Sequence, residues 1–281
     1  MFDILSIDGG GIRGLIAARV LEYLAQASGT SPADVFDMMV GTSTGGIMTS
    51  GLCVPGDGES PRWSPSEVVD IFVNDGPAIF DKSAFRSIRT LGGTIEETYP
   101  SDGLTQVLKD RLGTASITES LAHLVVPCYE ISTKRPFVFD SKKAVHNQEL
   151  NRPLWQVAKA TSVAPTYFEP FELPRRSTDD IWSLVDGGLY ANNPTMIAIA
   201  HALEQGVELD KMRVLSLGTG HHPDPIDPRN AGDWGAVKWA SHVIDASLDG
   251  TSDLADRQAD HILPDNQYRR YQVGRHEKRS R

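Results

Sequence analysis

The chain has 281 residues, 40% of them hydrophobic and 23% charged, with a formal net charge of −10. That length suffices for one large domain with a sizeable core, and the acidic balance argues against nucleic acid as a partner. No apolar run approaches the roughly 18 residues of a membrane span, and Met1 is followed at once by a strand-like segment without a basic or apolar leader, so a cytoplasmic protein is expected.

The first unit along the chain is the apolar run Ile4-Leu5-Ser6-Ile7, then Asp8-Gly9-Gly10-Gly11-Ile12-Arg13-Gly14, then the helical pattern Leu15–Leu24. Gly9, Gly11 and Gly14 satisfy the Gly-x-Gly-x-x-Gly spacing of a dinucleotide site. That fingerprint needs a second strand ending in an acidic residue about 20 residues further on. The second strand, Met38-Met39-Val40, instead runs into Gly41-Thr42-Ser43-Thr44-Gly45-Gly46, which also lacks the lysine of a phosphate-binding loop. Anion binding of another kind fits better: backbone N–H groups before a helix can hold the oxyanion formed when a serine attacks an acyl carbonyl.

Gly41 to Gly45 reads as a nucleophile elbow, a strand-to-helix turn sharp enough to hold the Ser43 hydroxyl clear of the sheet. Glycines at both flanks are needed because side chains there would strike the neighbouring strand or helix.

Further on, Ser66–Asn74 looks helical and Asp75–Ser101 reads as a glycine- and charge-rich surface insertion. A helix is expected at Asp102–Leu112, strands at Leu124–Ile131 and Pro136–Phe139, and a helix at Pro153–Ala160. A strand at Ser183–Val185 leads into Asp186-Gly187-Gly188, and Asn193 as N-cap with Pro194 as first helical residue opens a helix to Glu204. The strand Met212–Leu217 ends in Gly218-Thr219-Gly220, His221–Asp233 reads as a second insertion, and helices at Trp239–Leu248 and Thr251–Ile262 close the pattern. The alternation predicts an α/β fold, a mostly parallel sheet covered on both faces. The organisation expected is one domain over 1–281: a motif-bearing core at about 2–220, a helical part at 234–268 and a basic tail at 269–281.

A serine hydroxyl needs a base. An ordinary α/β-hydrolase runs serine, acid, histidine along the chain, and His221 or His222, after a strand end, could supply the imidazole, with His201 a weaker candidate. Alternatively Asp186 is itself the base, although a turn aspartate before two glycines also has a purely structural reading.

Taken together these segments resemble the patatin-like phospholipase family, which uses a Ser–Asp dyad. Asp8–Gly14 resembles its oxyanion loop, Gly41–Gly46 its elbow, Asp186-Gly187-Gly188 its aspartate motif, and Ala160–Phe168 a further family segment. The resemblance, in order and spacing over about residues 2–220, implies a three-layer α/β/α sandwich and acyl-ester hydrolysis through a covalent acyl-serine, with no cofactor and no metal. Ser43 would be the nucleophile and Asp186 the base. Gly9, Gly10, Gly11, Arg13 and Gly14 would form the oxyanion hole, with the amides of Gly10, Gly11 and Arg13 as its donors. Gly41, Thr42, Thr44 and Gly45 would shape the elbow, and Gly187 and Gly188 the aspartate turn. A carboxylate is a weak base in water, so such a dyad needs desolvation, which the apolar flanks Leu184, Val185 and Leu189 would provide. The implied partner is an acyl lipid at a membrane surface. Bacterial relatives include membrane-degrading effectors switched on by nucleotide second messengers, but no residue here identifies an activating ligand.

His221-His222-Pro223-Asp224 lacks further ligands at metal-site spacing and reads as a loop. Trp234 and Trp239 read as packing anchors, and Arg13 either recognises a phosphate or pairs with an acid. Cys53 and Cys128 read as reduced core cysteines. The chain ends earlier than family members that add a helical segment. Its last 13 residues hold Arg269, Arg270, Arg275, Lys278, Arg279 and Arg281 against Glu277, which reads either as a membrane-docking tail or as solvated chain. The rival functions are a triad esterase for soluble esters and a non-catalytic lipid-binding protein of the same fold.

Overall fold

The computed structural model describes residues 1–56, 60–79, 102–165, 167–221 and 235–274. Its strands are β1 (Phe2–Ile7), β2 (Met38–Gly41), β3 (His123–Glu130) and β4 (Arg135–Asp140), then β5 (Phe171–Pro174), β6 (Ile181–Asp186), β7 (Met212–Leu217) and β8 (Tyr268–Tyr271). They form one sheet in the order β5-β6-β3-β2-β1-β7-β8, with β4 paired to β3. The pairings β1–β2, β1–β7, β2–β3 and β7–β8 are parallel, whereas β3–β4, β3–β6 and β5–β6 are antiparallel.

Helices cover both faces, because the strands present apolar side chains on both. Leu5, Ile7, Met39, Leu124 and Val126 face a core with Ala17, Ala18 and Leu21 of α1 (Gly14–Ser28). Beyond the short α2 (Pro32–Val35), the same core takes in α3 (Thr44–Leu52) and α4 (Pro65–Asp70); α5 (Gly76–Ile79) adds Ile79 and α6 (Asp102–Leu112) its leucines. After α7 (Ser141–His146), α8 (Leu154–Ser162) completes that layer. On the opposite face Ile4, Met38, Val40, Val125, Met212 and Val214 meet Ala198, Ile199 and Ala202. Those three come from α10 (Thr195–Glu204), which follows the single turn α9 (Gly188–Ala191); Ala259 comes from the C-terminal helix Ala236–Ile262. The result is the expected three-layer α/β/α sandwich.

Three sequence expectations need correction. The C-terminal helices are one continuous helix, Ala236–Ile262. Gly250 costs it about 1 kcal/mol against alanine, less than burying Ala255, Ala259 and Leu263 returns. Tyr268–Tyr271, assigned to a helical part and a tail, is strand β8 on the sheet edge, in parallel register with Val214–Leu217. Phe171–Pro174, to which the sequence reading assigned no element, is also a strand; Pro174 argues against a central strand but suits the edge position it occupies. The insertion from Phe80 to Ser101, His222 to Trp234 and the chain end from Arg275 lie outside the described residues.

Candidate active site

The site is made where two strands stop. Val125 pairs with both Val40 of β2 and Asp140 of β4, and Cys128 pairs with both Phe137 of β4 and Asp186 of β6. A strand has two edges, so β2 and β6 share the edge of β3 that faces away from β4. β2 runs parallel to β3 and β6 antiparallel, and their C-terminal ends therefore meet. Ser43 follows one end by two residues, and Asp186 is the last residue of the other. The changeover lies beside Pro127, whose carbonyl accepts the Thr161 hydroxyl at 2.6 Å.

Ser43 has φ 54° and ψ −122°, a conformation that L-residues rarely adopt. The glycines make it sterically feasible. A Cβ on Gly41 would collide with the backbone of Gly45, and one on Gly45 with the carbonyl of Ile7. The Ser43 amide donates to Thr161 Oγ1 at 3.0 Å, and Ser162 Oγ donates to the Ser43 carbonyl at 3.2 Å. α8 thus braces the elbow through the segment already singled out in the sequence, although nothing local signalled which atoms would do so. Thr42 Oγ1 donates to the Ala191 carbonyl at 2.7 Å, tying the elbow to the turn after Asp186.

Asp186 is only 6% exposed. It accepts the Gly188 N–H at 2.7 Å and interacts with the Ser43 hydroxyl. Burial raises its pKa from 3.8 to about 6, against the opposing pull of the Ser43 and Gly188 hydrogen bonds. A Cβ on Gly187 would strike the Pro127 carbonyl, so this turn too requires glycine.

The glycine-rich loop lies against the elbow: a Cβ on Gly9 would approach Ser43 Cβ to 3.2 Å, and one on Gly14 would approach Thr44 Oγ1 to 2.8 Å. The Gly9 amide donates to the Asn192 carbonyl at 2.9 Å, the Arg13 amide to the Gly10 carbonyl at 3.2 Å, and the Gly14 amide to the carbonyls of Gly11 and Ile12. Among the described residues the amides of Gly10 and Gly11 have no partner. Gly11 takes φ 57°. Among the described residues Arg13 Nη1 is buried without a hydrogen-bond partner, so of the two readings the sequence left open, phosphate recognition or pairing with an acid, no acid is seen at that atom.

His201 and His123 are elsewhere. His201 Nδ1 lies 2.9 Å from Asp140 Oδ2, and His123 Nε2 lies 2.8 Å from Asp140 Oδ1. This buried group sits at the N-terminal end of β3, the opposite end of the sheet from Ser43. Burial works against the charge on Asp140, but hydrogen bonds from His123 and His201 outweigh it and hold the carboxyl well below its usual range. His221 Nε2 is 3.9 Å from Asp253 Oδ1, and His222 lies outside the described residues, as do Pro223, Asp224 and Trp234. Trp239, expected to be a packing anchor, is 40% exposed. Cys53 and Cys128 are free and buried.

Sequence reasoning missed a buried ion pair at this site. Asp8 Oδ1 and Oδ2 accept Arg270 Nη1 and Nη2 at 3.1 and 2.5 Å, with side-chain exposures of only 2% and 6%. No local signal marked it: Tyr268-Arg269-Arg270-Tyr271 does not alternate in polarity, and only in the folded strand do the side chains of Tyr268 and Arg270 share the inward face.

An α/β sheet with a strained serine at the end of a central strand, facing a buried carboxyl, has the backbone arrangement of a Gly-x-Ser-x-Gly turn. The family model described as patatin-like phospholipase matches residues 5–199, and this chain belongs to that family. It is 32% identical to patatin-like protein 2 of Arabidopsis thaliana, over 91% of this chain and 70% of that one. It is 28% identical to a probable inactive patatin-3-Kuras 1 of Solanum tuberosum, over 91% and 73%. The fold is similar to that of VipD from Legionella pneumophila, with a TM-score of 0.50 and 13% identity, over 97% of this chain and 61% of that one.

Proposed function

We propose that this protein is a lipid acyl hydrolase of the phospholipase A or lysophospholipase type, cleaving carboxylic esters through Ser43 and Asp186. Family membership supports lipid ester hydrolysis in general. The observation that carries the finer reading is the strained Ser43 set against a buried carboxyl whose pKa is raised to about 6, near the range where a general base works best. In this reading Asp186 takes the Ser43 proton as Oγ attacks the ester carbonyl carbon. The amides of Gly10 and Gly11 receive the oxyanion, and each such donor is typically worth about 3 to 4 kcal/mol of barrier. Collapse breaks the acyl C–O bond, and Asp186 returns its proton to the leaving alcohol. Asp186 then takes a proton from water, the hydroxide releases the fatty acid from Ser43, and the proton goes back to Ser43.

Arg13, with a buried unpaired N–H beside this loop, suits a phosphate-bearing lipid. Among the described residues no helix is long and apolar enough to cross a membrane. One relative is named as probably inactive; the presence here of Ser43, Asp186 and the glycine loop together argues against a non-catalytic lipid binder. The test is lipid mass spectrometry of phosphatidylcholine and phosphatidylglycerol vesicles incubated with wild-type, Ser43→Ala and Asp186→Asn protein. Free fatty acid and lysolipid from the wild type alone are expected, and equal release by Ser43→Ala protein refutes the proposal.

A further inference from the structure

The side chain of Arg270 in β8 reaches the loop before α1, and its contacts are not those of a surface strand. Its guanidinium grips both oxygens of Asp8 and donates to Ser216 Oγ at 2.6 Å. Thr195 Oγ1 lies 3.3 Å from that Ser216 oxygen and 3.0 Å from Ser6 Oγ, so the pair ends a buried polar chain crossing β7, β1 and α10. Burial opposes the charge on both partners: at Arg270 the attraction of Asp8 outweighs it and raises the arginine pKa further, whereas at Asp8 burial outweighs the pull of Arg270 and raises the carboxyl, so geometry rather than charge carries the pairing. Fork-to-fork pairing of this kind fixes direction as well as distance.

Asp8 immediately precedes Gly9, Gly10 and Gly11. The same C-terminal segment reaches that loop by a second route. Gln272 Oε1 accepts the Gly220 amide at 2.8 Å, and the Tyr271 carbonyl accepts the Gly218 amide at 2.8 Å. Between those glycines, Thr219 Oγ1 donates to the Gly9 carbonyl at 2.6 Å, and a Cβ on Gly10 would collide with Thr219. The loop is therefore held at Asp8 and at Gly9 by contacts that originate in residues 270–272, more than 250 positions away in sequence.

We propose that β8 sets the position of the Gly9–Gly11 loop through Arg270, which makes Arg270 a positioning residue for the oxyanion site. This rests on the function proposed above, since the loop's amides matter only if an oxyanion forms there. Oxyanion donors act only when aimed at the oxygen of the transition state, and misplacement by about 1 Å can cost about 100-fold in rate.

The test uses the full chain carrying Arg270→Ala, Arg270→Lys, Arg269→Ala or Ser43→Ala. Hydrolysis of p-nitrophenyl butyrate is measured well below each protein's unfolding midpoint, which circular dichroism supplies. Arg270→Ala is expected to lose about 100-fold in kcat with little change in KM. Millimolar guanidinium chloride should restore part of that loss where equal sodium chloride does not, a readout that a merely stabilising residue would not move. Should Arg270→Ala not fold, Arg270→Lys, which keeps the charge but not the fork, is expected to fold and still lose kcat. Arg269→Ala, on the exposed side of the strand, should match the wild type. Wild-type kcat in either folded Arg270 variant, or a loss confined to KM, overturns the proposal while leaving the Ser43 reading intact. Equal hydrolysis by wild type and Ser43→Ala overturns both.

Discussion

Replacing Asp186 by asparagine separates two consequences of burying a carboxylate. Asparagine keeps the shape and can still accept the Gly188 N–H, but it has no charge to desolvate. Burial raises the native aspartate from 3.8 to about 6. At about 1.36 kcal/mol per pH unit, that gap makes ionisation in the folded protein unfavourable by about 3 kcal/mol. The folded state binds the proton more tightly than the unfolded state. The penalty is therefore absent below about pH 3.8, grows as pH rises, and is complete above about pH 6. Asp186→Asn protein should thus match the wild type in stability near pH 4 and exceed it by up to about 3 kcal/mol at about pH 8. Activity should move the other way, with kcat falling by on the order of 10⁴ because the base is gone. Wild-type kcat/KM should rise with unit slope and level off with a midpoint of about 6. Urea unfolding at the two pH values, and p-nitrophenyl ester hydrolysis across the range, measure all three quantities. A variant that is less stable at high pH, or that keeps its activity, would refute the reasoning. So would a wild-type profile that shifts when His221 becomes alanine.

Ser43→Ala should abolish both hydrolysis and labelling by a fluorophosphonate probe, with an unchanged circular dichroism spectrum; labelling that persists at another serine counts against the elbow. Thr161→Val removes the partner of the Ser43 amide and of the Pro127 carbonyl; it should cost about 1 to 3 kcal/mol in urea unfolding and lower kcat as well. Gly45→Ala places a Cβ against the Ile7 carbonyl, and because the obstacle is backbone the loss should reach at least about 3 kcal/mol, seen as a collapse in thermal midpoint. His201→Ala takes one partner from Asp140 and should lower stability by about 1 to 3 kcal/mol while leaving kcat unchanged; a loss of activity equal to that of Asp186→Asn would restore the triad reading.

The elements around the site were legible because their signals are local. Gly41 and Gly45 flank a serine at a strand end, three glycines precede an amphipathic helix, and Asp186 stands before two glycines; each states a backbone requirement that nearby residues alone impose. Alternation of strand and helix patterns likewise determined the layered architecture. The two edge strands were not legible, since Phe171–Pro174 is flanked by prolines and Tyr268–Tyr271 carries two arginines. Both patterns look unlike a buried strand until the neighbouring strand that accepts them is known. What only the tertiary structure decided is which partners meet. Ser43 and Asp186 come together because β2 and β6 run toward each other along one edge of β3. His201 is removed because α10 carries it toward the far end of the sheet, to Asp140. Arg270 passes from an expected basic tail to a buried partner of Asp8 because β8 adds in parallel beside β7. A carboxylate and a guanidinium 262 positions apart have no local signature. Their pairing depends on strand order and register, which many residues set jointly.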